Sequence, residues 1–283
     1  MTASLQTSPS PSPERARRFG LIIVGDEILS GKRVDQHLSK VIGLLKARGL
    51  QLDYADYVGD APARIVATLQ RAFASGDVVF SCGGIGATPD DHTRQCAAQA
   101  LGVGLALHPQ AEVLIRQRMQ DMAREQGTVY EADRPDNVHR LNMGVFPVGA
   151  TIIPNPFNKI PGFSCGDVHF VPGFPVMAWP MIESVLDTRY RHLFRANAWL
   201  EQSVIVFGAM EATLTPLMED IERNHAGVKV FSLPSVDHPE YGRHIELGVK
   251  GEPHEVALAY AQLREGLHRF KVRFGPEMVQ KLE

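Results

Sequence analysis

The chain has 283 residues, 44% of them hydrophobic and 22% charged, with a formal net charge of −3. That length provides for one large domain or two, each with a real core. The near-neutral balance argues against nucleic acid as the main partner, since such proteins carry a marked basic excess.

Taken in order, residues 1–13 are rich in Ser, Thr and Pro and hold no apolar segment, so residues 1–15 are expected to be a disordered tail. Phe19–Val24 is a continuous apolar run of strand length, as in a strand buried on both faces, and it ends in Gly25-Asp26-Glu27. The next segment sets Leu38, Val41, Ile42 and Leu45 on one helical face and stops near Gly49. Residues 50–58 read as a second strand, closed by Gly59-Asp60. A second amphipathic helix follows, with Pro62 in its first turn and Ile65, Leu69, Ala72 and Phe73 facing inward. Residues 77–80 make a third strand. This β-α-β-α-β alternation predicts a parallel, doubly wound sheet.

The third strand feeds Phe80-Ser81-Cys82-Gly83-Gly84-Ile85-Gly86-Ala87-Thr88-Pro89-Asp90-Asp91-His92-Thr93-Arg94, the stretch that organises the chain. Glycines at a strand's carboxyl end let the backbone turn sharply and bring bare N–H groups close to an anion. Asp90 and Asp91 repel phosphate unless a cation or a proton intervenes. The stretch therefore points to a phosphate-bearing ligand held with a hard metal ion. A plain glycine turn before an acidic helix start accounts for the same residues, since Asp suits the first turn of a helix.

Topology adds an inference. In a parallel sheet all strand carboxyl ends share one edge, where open α/β sheets bind ligands. Asp26 and Glu27, Asp60, and Asp90 and Asp91 each follow a strand, so they should share a rim with the Gly83–Gly86 loop. Any single one, Asp60 most readily, is also an ordinary turn residue.

Residues 93–126 look helical, interrupted around Gly102 and Gly104 and restarted near His108-Pro109; the restarted segment carries Val113 and Ile115 with Met119 and Met122, its methionines read as core filler and not as a metal site. Residues 127–138 read as a polar surface excursion without function. Thr151–Ile153 is a short strand, residues 155–163 a loop, and Val168–Val171 a strand running into Pro172-Gly173-Phe174-Pro175 and a helix. That turn is placed to form the opposite wall of a pocket. Lys159 is a candidate for countering phosphate charge, or a solvated loop lysine. Residues 189–200 form a candidate linker. Beyond it the order is β-α-β-β-α-β, with strands at 204–207, 228–233, 245–249 and 270–274, which is the ferredoxin-like pattern and is assigned to packing or assembly.

Several chemistries are set aside. His92, His108, His139 and His169 have no zinc-ligand spacing. The glycine loop lacks the Gly-Lys-Ser/Thr of a P-loop and follows the third strand, not the first as in a dinucleotide fingerprint. Ser81 and Ser164 lie in no Gly-x-Ser-x-Gly elbow. Cys82, Cys96 and Cys165 form neither an even disulfide framework nor a Cys-x-x-Cys pair, so reduced thiols in a cytoplasmic protein are expected. No apolar run is long enough to cross a bilayer.

With these residues in view, the chain resembles the molybdenum-cofactor-biosynthesis (MoCF, molybdopterin-binding) domain family. It is most similar to the branch at the start of competence/damage-inducible protein A (CinA) and to the related domain of some FAD synthases. The matching stretches are Val24-Gly25-Asp26-Glu27-Ile28-Leu29-Ser30-Gly31, Val58-Gly59-Asp60 and Gly83 through Thr93, with Asn155-Pro156, Pro161-Gly162 and Pro172-Gly173-Phe174-Pro175 downstream. The resemblance spans residues 19–275.

It implies a three-layer α/β/α domain over residues 16–192 and a small α+β domain over 198–276. It further implies a pyrophosphatase acting on ADP-ribose or FAD with Mg²⁺, Mn²⁺ or Co²⁺ and K⁺, or alternatively molybdopterin binding with adenylyl transfer, or a binding module without chemistry. Glu27, Asp60 and Asp91 are the candidate catalytic residues, and Glu27, Asp60, Asp90 and Asp91 the candidate metal ligands. Gly25, Gly83, Gly84, Gly86, Thr88, Thr93, Lys159, Pro172 and Gly173 are the candidate ligand-binding residues. The expected partner is a small nucleotide or pterin, with no nucleic acid or membrane, and a homo-oligomer is expected. Two departures bear on substrate. Asp35-Gln36-His37 stands where CinA-type chains usually carry Asn-Thr-Asn, and Asn158-Lys159-Ile160 where they carry Gly-Thr-Ala, with Asn158 expected to supply the left-handed conformation. CinA continues into an amidase domain where this chain ends, so that activity is expected to be absent.

Overall fold

The computed structural model describes residues 17–194, 199–270 and 272–282; the tail expected over residues 1–15 lies outside them. Two compact units emerge, one drawn mainly from residues up to Arg191 and the other mainly from His192 onward.

The first unit opens with β1 (Phe19–Val24), a one-turn α1 (Asp26–Leu29), α2 (His37–Lys46), β2 (Leu52–Val58), α3 (Pro62–Ser75) and β3 (Val78–Cys82). It continues through α4 (Thr93–Leu101), β4 (Leu105–Leu107), α5 (Pro109–Glu125), α6 (Pro135–Arg140) and β5 (Val145–Pro147). It closes with β6 (Thr151–Ile153), β7 (Gly162–Cys165), β8 (Val168–Val171) and α7 (Pro175–Arg189). The main sheet has the order β2-β1-β3-β8-β7-β6. The first four strands are mutually parallel, while β7 runs antiparallel to both of its neighbours. The mixed α/β class with a mainly parallel sheet is the one predicted.

Both faces of the parallel strands are covered, which is why β1 reads as an unbroken apolar run. Ile22 and Val24 pack with Ile65 and Leu69 of α3 and Cys96 and Ala97 of α4, while Leu21 and Ile23, pointing the other way, are just as buried. Phe163 stacks between Phe146 and Phe170, with ring centroids 4.7 and 4.4 Å away. Such rings each contribute about 1.5–3 kcal/mol by leaving water. All three cysteines are free and buried.

The structure corrects several boundaries. The interruption after α4 holds a strand: β4 pairs antiparallel with β5. The excursion after α5 contains α6. Part of the loop assigned to 155–163 is β7, paired with β6 and β8. Ile42, expected on the inner face of α2, is exposed, and Leu44 is buried instead. Lys159, not Asn158, adopts the left-handed conformation, with φ of 65°. Asn155 shapes that turn, its amide donating to Asn158 Oδ1 and to the Ile160 carbonyl while its Oδ1 accepts from the Phe157 N–H.

The second unit is β9 (Trp199–Phe207), α8 (Glu211–Asn224), β10 (Lys229–His238), β11 (Gly242–Gly251), α9 (Pro253–Leu267) and β12 (Arg273–Leu282). Its antiparallel sheet has the order β10-β11-β9-β12, the ferredoxin-like connectivity predicted. Val204, Leu247 and Val249 pack against Leu214, Ile221, Leu263 and Leu267 of its helices. The last strand, expected over 270–274, runs from Arg273 to Leu282, past the domain end expected at 276. The candidate linker is shorter than 189–200: Arg189 closes α7, Leu200 belongs to β9, and residues 195–198 lie outside the described residues. Among the described residues no helix is long and apolar enough to cross a membrane.

Candidate functional site

β2, β1, β3 and β8 lie side by side and parallel, so their carboxyl ends form one edge. Every acid expected on a shared rim follows one of the first three. The Gly25 N–H prolongs the ladder to the Val58 carbonyl at 3.0 Å. Beyond it two aspartates cap one another. The Asp26 N–H donates to Asp60 Oδ2 (2.9 Å), and the Asp60 N–H donates to Asp26 Oδ1 (3.1 Å). Each carboxylate spends one oxygen on backbone and keeps the other. Burial raises the Asp60 carboxyl above its ordinary range; the Asp26 N–H opposes this, and the charges of Asp26, Glu27 and Asp90 add to it. Glu27 folds back over the turn, since a Cβ at Gly25 would lie 2.5 Å from its Oε2. The charges of Asp26, Glu27 and Asp90 thus all act on Asp60, whereas Asp91, expected on the same rim, is not among them and lines a separate cavity with none of the other four acids.

The glycine loop is tightly bound into this edge. At Gly83, with φ of 103°, a Cβ would stand 2.3 Å from the Val24 carbonyl oxygen; at Gly84, with φ of 68°, it would stand 2.1 Å from Thr93 Oγ1. Both positions demand glycine for conformation and for close approach. Thr93, expected among the ligand-binding residues, is fully buried and acts from inside: its N–H donates to the Gly84 carbonyl (3.0 Å) and its hydroxyl to the Gly83 carbonyl (3.2 Å). It staples the loop. Asp91 Oδ2 accepts from the Thr88 N–H (2.8 Å) and hydroxyl (2.5 Å), leaving Oδ1 without a partner among the described residues. Thr88 is therefore an orienter of Asp91.

Next to Asp91 is a cavity of about 310 Å³, lined by Thr88, His92, Arg94, Gln95, His139 and Asn142 among others. Arg94 is buried and donates to the Ile85 carbonyl (2.5 Å); burial lowers its guanidinium's pKa, with the Asp91 charge opposing. His139 Nε2 donates to the Ala87 carbonyl (3.0 Å), and its Nδ1 faces the Asn142 amide at 3.4 Å. Sequence reasoning considered His139 only as a zinc ligand and passed over Asn142, because α6 and the turn behind it carry no local pattern that marks them.

The turn after β8, expected to face the loop across a pocket, packs onto the loop itself and does not line the cavity next to Asp91. The Gly83 N–H donates to the Val171 carbonyl (3.0 Å), and a Cβ at Gly173 would lie 3.4 Å from the Gly83 Cα. Pro172 and Gly173 therefore stand directly against the loop. Lys159 does not join them: its ammonium pairs with Asp121 Oδ2 of α5 at 2.5 Å. Among the described residues no group of three or more His, Cys, Asp or Glu is arranged to hold a metal ion by itself. The donor set that is present, carboxylates with one oxygen unspent beside a loop rich in N–H groups, fits an ion that shares its shell with a phosphate. Magnesium-class sites commonly take one or two protein carboxylates and complete the shell with substrate oxygens and water.

Comparison with known proteins places the chain in a family. A CinA-like protein of Geobacter sp. is 32% identical over 206 residues, covering 71% of this chain and 47% of its own length. The chain thus spans about half the length of that relative. A protein of Pyrobaculum calidifontis is 28% identical over 261 residues, 90% of this chain and 96% of its own. The crystal structure of CinA from Thermoplasma acidophilum, a protein of unknown function, superposes with a TM-score of 0.51 at 26% identity, over 60% of this chain and 98% of that one. The family model described as a probable molybdopterin-binding domain, of the MoCF type, matches residues 20–192, more than half of the chain, and the chain belongs to that family.

Proposed function

We propose that the rim binds a nucleotide carrying a pyrophosphate, such as ADP-ribose or FAD, and hydrolyses that bond. The observation that carries this reading is the reciprocal capping of Asp26 and Asp60 at the strand ends beside the glycine loop, which holds two carboxylates together with an oxygen of each left over. Carboxylates held against one another next to anion-binding N–H groups suit a phosphate only when a cation joins them. One or two of Glu27, Asp60, Asp90 and Asp91 would hold a divalent ion (Mg²⁺, Mn²⁺ or Co²⁺, tested with and without K⁺), phosphate oxygens of the ligand and water completing its shell, and the ion would supply Lewis-acid polarisation of a phosphoryl oxygen. Asp91, turned by Thr88 so that Oδ1 stays free, takes a proton from the attacking water as its oxygen bonds to phosphorus and the bridging P–O bond breaks. N–H groups of the loop stabilise the developing negative charge. Incubation with ADP-ribose or FAD and each metal, with K⁺, should release AMP with ribose 5-phosphate or FMN. No product in any combination would sink the reading.

The family match favours a second reading in which the same pocket binds molybdopterin, with or without adenylyl transfer. Protection of the fold against heating by a pterin, together with no turnover of either dinucleotide, would select it.

A further inference from the structure

The segment between α1 and α2, residues 30–36, crosses the carboxyl edge from one side to the other. Over β1 its backbone is held by the Arg33 N–H, which donates to the Glu27 carbonyl (3.0 Å). Asp35 reaches the β2 side, where the Tyr57 hydroxyl donates to its Oδ2 (2.8 Å). Burial, then this hydrogen bond, pushes the Tyr57 phenol up to about 12, so it remains a donor. Asp35 also caps α2, accepting the N–H groups of His37 (2.8 Å) and Leu38 (3.1 Å). His37, buried at the start of α2, closes the crossing on the β8 side through Nε2 to the Gly173 carbonyl (3.0 Å). A carbonyl only accepts, so Nε2 carries the proton.

Ahead of the Asp35 and His37 pins the strap carries Lys32 and Arg33. Both are exposed, and among the described residues neither side chain has a carboxylate within ion-pair distance, although the Arg33 backbone rests on Glu27. Lys159, the cation suggested by the sequence, is occupied by Asp121. A phosphate approaching the loop meets several carboxylates, and an ion held by those carboxylates is first neutralised by them. Further positive charge has to come from an unpaired source. We propose that Lys32 and Arg33 form a cationic strap that binds the phosphates of the ligand, Arg33 through its planar fork and Lys32 as a mobile point charge. This rests on the proposed phosphate-bearing ligand and adds the residues that select for phosphate.

The test uses the whole chain as wild type and as the Lys32→Gln, Arg33→Gln double variant, whose melting without ligand should match because both side chains are exposed. Calorimetry with Mg²⁺ present, over injections short enough that no product accumulates, measures ADP-ribose and adenosine binding at low and raised salt, and hydrolysis is followed separately. The double variant should lose about tenfold or more in ADP-ribose affinity, the scale of one or two charge-assisted hydrogen bonds. It should also show a flatter salt dependence and keep wild-type adenosine binding, and its KM should rise by more than its kcat falls. Equal ADP-ribose affinity in the two proteins overturns the strap, whether or not hydrolysis is seen, as does a wild type that binds no ADP-ribose. A wild type that binds ADP-ribose through these residues without ever hydrolysing it upholds the strap and overturns the pyrophosphatase reading.

Discussion

The two edges of the main sheet carry similar residue types and have opposite characters. At the amino edge, the Ser164 hydroxyl meets His169 Nδ1 (2.8 Å), His169 Nε2 meets the Tyr190 hydroxyl (2.6 Å), and Tyr190 donates to Asp167 Oδ1 (2.7 Å). Arg17 completes the chain on Asp167 Oδ2 (2.7 Å). A serine, a histidine and an aspartate in line suggest catalysis, yet Ser164 and His169 are buried and every polar atom in the chain has its partner. Such a network specifies packing and offers nothing to a substrate. At the carboxyl edge, Asp26 is exposed and Asp60 and Asp91 are half-buried, and each retains an oxygen without a hydrogen-bond partner among the described residues. Unspent valence facing solvent marks the site; the residue types alone do not.

The largest effect expected from breaking this contrast is at the carboxyl edge. Asp91→Asn keeps an oxygen for Thr88 and removes the base, so turnover should fall about 10²–10⁴-fold, with melting nearly unchanged. An equal loss of stability and activity would place Asp91 with the structural groups. At the amino edge the pattern should invert. His169→Leu leaves the Ser164 hydroxyl unpaired in the core and should cost about 1–3 kcal/mol, read by denaturant unfolding, without altering the ligand-induced shift in melting. The pH course is a second check. Burial, then the Arg189 charge, depresses the His169 pKa from 6.5 to about 3. A neutral folded histidine favours folding above its unfolded pKa, and that contribution drains away as pH falls from about 6.5 toward 3. Wild type should therefore lose its advantage over His169→Leu across that window; a constant gap would mean that His169 is not held neutral.

The rim was legible in the sequence because its parts are local. Each acid and glycine stands within a few residues of an apolar strand-length run, and parallel topology pools the strand ends. What escaped depends on contacts between distant segments. Lys159 meets Asp121 across 38 residues, and His139 meets Ala87 across 52. β7 was hidden by Gly162, which reads as a turn residue but is required there, as a Cβ would stand 2.3 Å from the Phe170 carbonyl. In the second unit, Pro234 and Pro276 made β10 and β12 look short. Both are edge strands, where proline is tolerated, and the β12 register shifts between Phe274 and Glu277, around Pro276.

The smallest expected effect is the most discriminating for the carboxyl edge, because Asp60 has two roles that a single substitution separates. Its Oδ2 accepts the Asp26 N–H, which favours the fold, while burial and the charges of Asp26, Glu27 and Asp90 oppose its ionised form. Asp60→Asn keeps an acceptor oxygen and discards the charge. Asp60→Ala discards both. Without ligand, stability should rank Asn at or above wild type and Ala below it, with the Asn gain under about 1 kcal/mol because the site is open to solvent. The Ala loss should be about 0.5–1.5 kcal/mol, the worth of one hydrogen bond. The sign of the pH dependence follows from the raised folded pKa. Such a carboxyl destabilises the fold only while ionised, so the Asn advantage should be full at neutral pH. It should disappear as pH drops through the folded pKa of Asp60 and below its unfolded value. Chemical denaturation of the three proteins along that pH series checks both the ranking and its collapse. If Asn proves as unstable as Ala at neutral pH, the Asp60 charge is a stabilising one. The crowding that distinguishes this edge from the closed network on the other side would then be absent.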